Sequence, residues 1–233
     1  MTPGARDVQV WRIALPPALA GDAWRALLSA EEVARADAFR FERDRAAHVT
    51  AHVALRRLLA GYAAQAPELL RFATNAHGKP RLDPPGDVTF NLSHSGEVAL
   101  IAVGRSMVLG IDVERQRGDV AIDSIAARFF APAERAGLAA LPESERVAAF
   151  FRCWVRKEAF VKARGRGLAE PLDRFAVALD PGDGALLAID ERAAGPDEWT
   201  LRNIMVPQGY AAALAVEGAI GAVRCQDWTG WPS

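Results

Sequence analysis

Apolar and polar residues alternate from Val8 to Leu15 and halt at Pro16-Pro17, which predicts a strand closed by residues that cannot extend a ladder. Ser29-Ala30-Glu31-Glu32 has the form of a capping box and predicts a helix start. A second, longer helix is predicted from about Asp44 to Ala64, carrying Val49, Val53, Leu55, Leu58 and Leu59. The stretch from Asn75 to Asp87, NAHGKPRLDPPGD, is Gly/Pro-rich and reads as loop. Val88 to Leu92, Val98 to Val103 and Met107 to Val113 read as three short strands. Helices are expected from Ile122 to Phe130, from Pro132 onward, and from Arg146 to Arg164. Strands return at Phe175 to Leu179, Leu186 to Ile189, Trp199 to Met205 and Tyr210 to Val216.

Runs of helices and runs of strands, rather than strict alternation, predict an α+β fold. A short internal echo links Gly96-EVALIAV with Gly209-YAAALAV and suggests two similar halves, 1–105 and 106–233. A chain of 233 residues, 51% of them hydrophobic, can bury one large core or two smaller ones. The net charge of −1 gives no global reason to bind nucleic acid or an anionic membrane surface, so any electrostatic function is local. Cys153 and Cys225 are the only cysteines and match no zinc spacing or disulfide framework. With no signal-peptide pattern and no apolar run long enough to span a bilayer, a cytoplasmic protein is expected.

Two segments concentrate candidate chemistry. In VLGIDVERQRG, residues 108–118, Asp112 and Glu114 are two apart on a strand and so share a face. Paired carboxylates stay ionised beside a cation, and their hard oxygens suit Mg²⁺ or Mn²⁺. Taken alone, the triplet more often marks a solvated strand end, here with Glu114 paired to Arg115 or Arg117. In the helix FFRCWVRKEAFVKAR, Trp154, Glu158 and Lys162 fall on one stripe, amid Arg152, Arg156, Lys157 and Arg164. That arrangement fits an ordinary surface ion pair, or a polyphosphate whose metal the acid helps to hold. Lys79, in GKPRL, is held on a Gly-Pro loop where an ammonium can meet an anion. Ser93 and His94, adjacent on a strand, face opposite ways and make a poor nucleophile–base pair. His94 fits a phosphate contact or a half-buried histidine. His48 and His52 read as helix-surface residues.

These pieces resemble, in order, the motifs of 4′-phosphopantetheinyl transferases: GKP and FNLSHS upstream, then GIDVE at 110–114, RFFAPAE at 128–134, and F-x-x-x-W-x-x-K-E-A-x-x-K from Phe150 to Lys162. RGRGLAEPLDRF after Lys162 resembles the usual continuation. The length resembles the two-subdomain, Sfp-like class, which implies a pseudo-dimer of two α+β halves with the active site in the cleft between them. The resemblance implies that Asp112, Glu114 and Glu158 face Mg²⁺ on the pyrophosphate of coenzyme A. It implies that Lys157 and Lys162 contact phosphate oxygens, with Glu158 and Lys162 catalytic. The nucleotide end, including its 3′-phosphate, would fall to Lys79, Pro80, Ser93 and His94, with Arg35 and Arg45 available nearby. Glu32 and Ala47 stand where the family is commonly basic, and this predicts weaker discrimination against dephospho-coenzyme A. Neighbouring lysines and a metal are expected to depress the Glu158 pKa. The implied partner is an apo acyl or peptidyl carrier protein, met near Arg128, Phe129 and Phe130, and the expected state is a monomer. A different magnesium-dependent phosphodiester enzyme and a catalytically silent coenzyme A-binding module are the competing readings.

Overall fold

A computed structural model describes residues 6–16, 18, 21–167, 170–184, 186–189, 192–193 and 198–230. The chain order is β1 (Val8–Ala14), α1 (Ala30–Asp37), α2 (Glu42–Ala63), β2 (Arg71–Thr74), β3 (Pro80–Asp83), β4 (Val88–Ser95), β5 (Val98–Arg105) and β6 (Leu109–Arg115). Then follow α3 (Ile122–Phe129), α4 (Pro132–Ala140), α5 (Glu143–Arg164), β7 (Phe175–Val177), β8 (Leu186–Ile189), β9 (Arg192–Ala193), β10 (Trp199–Asn203), β11 (Tyr210–Glu217) and β12 (Val223–Asp227). The α+β class expected from the sequence is the class observed. The capping box is present: the Ser29 hydroxyl accepts from the Glu32 N–H, and the Glu32 carboxylate accepts from the Ser29 N–H.

Two sheets carry the molecule, one ordered β12-β1-β5-β4 and one ordered β10-β11-β6. Their central strands explain their own composition. On β5, Val98, Leu100 and Ala102 face the second sheet, whereas Ala99, Ile101 and Val103 pack against α2. On β11, Ala212, Leu214 and Val216 face the first sheet, and Ala211, Ala213 and Ala215 pack under α5. A strand buried on both faces reads as an unbroken apolar run. The echo seen in the sequence is this repeated unit, a 22-residue helix over a central strand opened by a left-handed glycine, Gly96 at φ 57° and Gly209 at φ 84°.

Two features differ from the sequence reading. The Gly/Pro-rich stretch contains β3, which pairs with β2 in a hairpin from Arg71↔Asp83 to Thr74↔Pro80. The final strand β12, which no alternation announces, runs parallel to β1 in the first sheet, Val8 opposite Val223 and Arg12 opposite Asp227. C-terminal residues thus complete the N-terminal sheet across the 105/106 division. Among the described residues, no helix is long and apolar enough to cross a membrane.

Candidate active site at the seam between two sheets

Strands β4 and β6 lie side by side, but no main-chain ladder joins them. Side chains do. Asn91 Oδ1 accepts from the Ile111 N–H at 2.8 Å, Ser93 Oγ from Val113 at 3.4 Å, and Ser95 Oγ from Arg115 at 3.1 Å. The alternation of FNLSHS sends these three polar residues toward β6, while Phe90 and Leu92 turn to the core beneath α2. Ser93 and His94 therefore do face opposite ways.

On β6 the same period separates functions. Leu109, Ile111 and Val113 fill the space between the sheets, which leaves Gly110, Asp112 and Glu114 on the face toward α5. Gly110 permits the approach: a Cβ there would lie 2.3 Å from the Ala159 carbonyl oxygen and 2.3 Å from the Ala163 nitrogen. The glycine of GIDVE brings two strand carboxylates against the helix that carries Glu158 and Lys162.

Asp112 is buried at 3% exposure. Its Oδ1 accepts from the Ser93 hydroxyl at 2.8 Å and from Lys162 Nζ at 2.6 Å, whereas its Oδ2 is buried with no partner among the described residues. Glu114 Oε2 accepts from the Ser95 hydroxyl at 2.7 Å. Burial raises the affinity of Asp112, Glu114 and Glu158 for a proton. Glu158 is pushed further up by Asp112 and then Glu114, against the pull of Lys162. The charges of the two strand acids thus reach Glu158 on the facing helix.

The depression expected for Glu158 counted on neighbouring lysines and a metal ion; among the protein's own groups the lysine part is reduced, and the reason is geometric. Lys157 points away from the cleft. Its Nζ is fully buried, donates to both Glu134 oxygens at 2.8 and 2.7 Å and to the Phe175 carbonyl at 2.7 Å, and so lies outside the cleft. Arg156 is likewise buried on the carbonyls of Ala178 and Gly182, and Arg152 donates to the Leu179 carbonyl. Of the bases expected around the acid, Lys162 is the one bonded within the carboxylate cluster.

Other expected residues are placed as follows. Lys79 Nζ donates to the Leu109 and Ala163 carbonyls at 2.8 and 2.9 Å, so it fastens the GKP loop to β6 and α5. Burial lowers its pKa to about 8. Lys79 and Pro80 also line a cavity of about 360 Å³ with Phe90, Leu109 and Arg164. Ser93 is buried and bonded to Asp112 and Lys162. His94 is exposed on the α2 side, where dehydration and the charges of His52, Lys162 and Arg35 lower its pKa. Arg35 is exposed, and Arg45 is bound to Glu42 at 2.7 Å. Phe130 is buried at 1% exposure, but Arg128 and Phe129 line a cavity of about 440 Å³ together with Glu158, Lys162 and Leu172.

Sequence reasoning missed several residues. Neither His48 nor His52 is a free surface residue. His48 is buried with an unpartnered Nε2, its ring 4.2 Å from that of His52, and His52 Nδ1 lies 3.2 Å from Glu32 Oε1. Glu32, in place of a base, also binds Arg56 at 2.7 Å. Glu134 had a signal that went unread, since Lys157 has Cys153 and Val161 at i±4 and so belongs to the core face of α5, where a charge needs a partner.

The sequence profile of the 4′-phosphopantetheinyl transferase superfamily matches residues 108–215, and one described as 4′-phosphopantetheinyl transferase, N-terminal, matches residues 21–106. The 4′-phosphopantetheinyl transferase HetI of Nostoc sp. (strain PCC 7120 / SAG 25.82 / UTEX 2576) is 36% identical over 217 residues, 91% of this chain and 88% of HetI. The chain belongs to the 4′-phosphopantetheinyl transferase superfamily. Further relatives of that name include psf-1 of Bacillus pumilus, 34% identical over 72% of this chain and 70% of its own, and Sfp of Bacillus subtilis (strain 168), 39% identical over 47% and 48%. The Sfp match spans about half of either chain. As a phosphopantetheinyl transferase, the chain is an enzyme of group transfer.

Proposed function

We propose that this protein transfers 4′-phosphopantetheine from coenzyme A to a serine of an apo carrier protein, at the seam formed by Asp112, Glu114, Glu158 and Lys162. The observation that carries the reading is the unpartnered, buried Oδ2 of Asp112, on a strand face shared with Glu114 and facing the helix of Glu158. An orphaned buried carboxylate oxygen is costly unless something binds it.

The donor set is all carboxylate, which fits Mg²⁺ or Mn²⁺. Among the described residues these side chains do not by themselves close on an ion, so its remaining ligands would have to come from the phosphates of coenzyme A. Asp112, Glu114 and Glu158 would hold it. When bound, it supplies positive charge where negative charge grows on the transferring and leaving phosphates.

The chain's own groups do the rest. Lys162 presents its ammonium beside Asp112 and is placed to meet phosphate oxygens. Glu158, half-buried on the helix that faces the strand carboxylates, is placed to accept the proton as the carrier serine attacks. The serine oxygen bonds to the phosphorus attached to pantetheine, the bond from that phosphorus to the bridging oxygen breaks, and 3′,5′-adenosine diphosphate leaves. The cavity lined by Phe129, Glu158 and Leu172 suits the pantetheine arm and the incoming serine. Lys79 and Pro80 form a wall for the nucleotide, with Arg35 and His94 for its phosphomonoester. Arg45 would have to leave Glu42 to join them.

Intact-mass spectrometry of an apo carrier protein incubated with this protein, coenzyme A and Mg²⁺ tests the reading. A gain of one phosphopantetheinyl group, absent with EDTA and with Glu158→Ala, is expected. No gain on acyl and peptidyl carriers, despite measured coenzyme A binding, would overturn it.

A further inference from the structure

We propose that Ser93 and Ser95 are positioning residues that orient the two strand carboxylates toward their cation. The inference rests on the reading of Asp112 and Glu114 as metal ligands.

Proton bookkeeping leaves each hydroxyl one option. A serine hydroxyl has one proton to give and lone pairs to accept with. The main-chain N–H of Val113 can only donate, and it points at Ser93 Oγ; that of Arg115 points at Ser95 Oγ. Lys162 Nζ also donates to Ser93 Oγ at 2.8 Å. Each hydroxyl therefore accepts from β6 and sends its own proton to the carboxylate of the preceding residue, Asp112 Oδ1 or Glu114 Oε2. The direction is fixed from amide to hydroxyl to carboxylate, twice, at a two-residue interval.

This relay has a consequence for the site. It engages one oxygen of each carboxylate and so fixes the rotation of both groups about their last bonds. For Asp112 the result is visible: Oδ1 is engaged twice and Oδ2 not at all. Bonds of this kind behind a ligating carboxylate typically govern metal affinity by tenfold to a hundredfold. Asn91 makes the equivalent amide contact at Ile111, where β6 has no carboxylate before it, which separates the seam-holding task from the orienting one.

The test measures Mn²⁺ binding to the full-length protein in the presence of coenzyme A, by the loss of the free Mn²⁺ electron paramagnetic resonance signal. Asp112→Asn serves as the control for the site itself. Ser93→Ala and Ser95→Ala are expected to weaken Mn²⁺ binding about tenfold or more, and Ser95→Thr, which keeps a hydroxyl, to restore it to within about threefold. Melting in EDTA is expected to differ little for Ser95→Ala, whose residue is half-buried, so it reports even if Ser93→Ala does not fold. Unchanged Mn²⁺ affinity in Ser95→Ala, with loss in Asp112→Asn, would overturn the positioning role and leave the metal site standing. Unchanged affinity in Asp112→Asn would overturn both.

Discussion

Two lysines five residues apart on one helix were expected to serve phosphate, and their surroundings divide them. Lys162 reaches the seam. Lys157 is sealed against Glu134 and two phenylalanine rings, 4.2 Å from the centroid of Phe175. Removing one member of a fully buried pair costs about 3–5 kcal/mol, because the other is left charged and dehydrated. Lys157→Ala should therefore lower stability by about that amount in chemical denaturation, and a Lys157→Met/Glu134→Leu double variant should recover most of it. A Lys157 that bound phosphate would instead show a raised coenzyme A dissociation constant with little change in stability. Acid sensitivity also belongs to single residues. Burial alone would raise Glu32, but the bonds from His52, the Ser29 N–H and Arg56 outweigh it and hold the group at about 2, below the 4.5 of the unfolded chain. Burial, with His52 and Arg35 nearby, lowers His48 from 6.5 to about 4. In both cases the unfolded chain takes up its proton first as the pH falls. The His48 contribution is full above pH 6.5 and lost toward 4, and the Glu32 contribution is full above 4.5 and lost toward 2. Each is on the order of 3 kcal/mol. Urea unfolding from pH 7.5 to 4 should fall steadily for the native protein and much less for His48→Gln, and equal slopes would refute the assignment.

Elements show why part of the site was legible in the sequence and part was not. The helices α1 to α5 were readable because a 3.6-residue period is a local signal, helped by the capping box of α1 and the proline that opens α4. Asp112 and Glu114 were legible as a pair because strand alternation alone puts them on one face. What could not be read was which neighbour each face meets. The orientation of FNLSHS toward β6 depends on two strands that never pair through main chain, and no local rule encodes that. The same holds for GIDVE, whose glycine has its reason in another element: β6 can lie against α5 only where no side chain intervenes. Gly110→Ala should separate strand from helix and cost about 1–3 kcal/mol by overpacking. A displacement near 1 Å between the strand acids and Glu158 should reduce kcat about a hundredfold. Steady-state transfer with an apo carrier, beside a melting curve, would check both. Full activity in a folded Gly110→Ala protein would sink the argument that this contact sets the site.

At the scale of the whole molecule, the two halves are stitched rather than adjoined. The β4–β6 seam is held by side chains, and the turns also touch across it, with Tyr210 Oη accepting from the Glu97 N–H at 3.0 Å. A second stitch lies at the other end of the first sheet, where β12 returns to pair with β1 and seats Trp228 in the core beneath α2 with Ile13 and Leu15. That return escaped the sequence reading because Val223–Asp227 is an edge strand, largely exposed, with no apolar alternation to mark it. It has a mechanical implication. The first sheet positions Ser93 and Ser95 only if β1, β5 and β4 stay in register, and β12 closes the far edge of that sheet. Burying a Trp contributes about 3–5 kcal/mol when judged by truncation to Ala, so the last strand and its tryptophan carry a sizeable share of a marginal total. A chain ending at Ala222 should therefore melt well below the native protein and exchange the amides of β1 first, with Trp228→Ala reproducing much of the loss. Carrier modification should fall with the folded fraction, not ahead of it, because no residue of β12 reaches the carboxylate cleft. A truncated protein that keeps its melting temperature but loses transfer would place β12 in the reaction itself and contradict this division of labour.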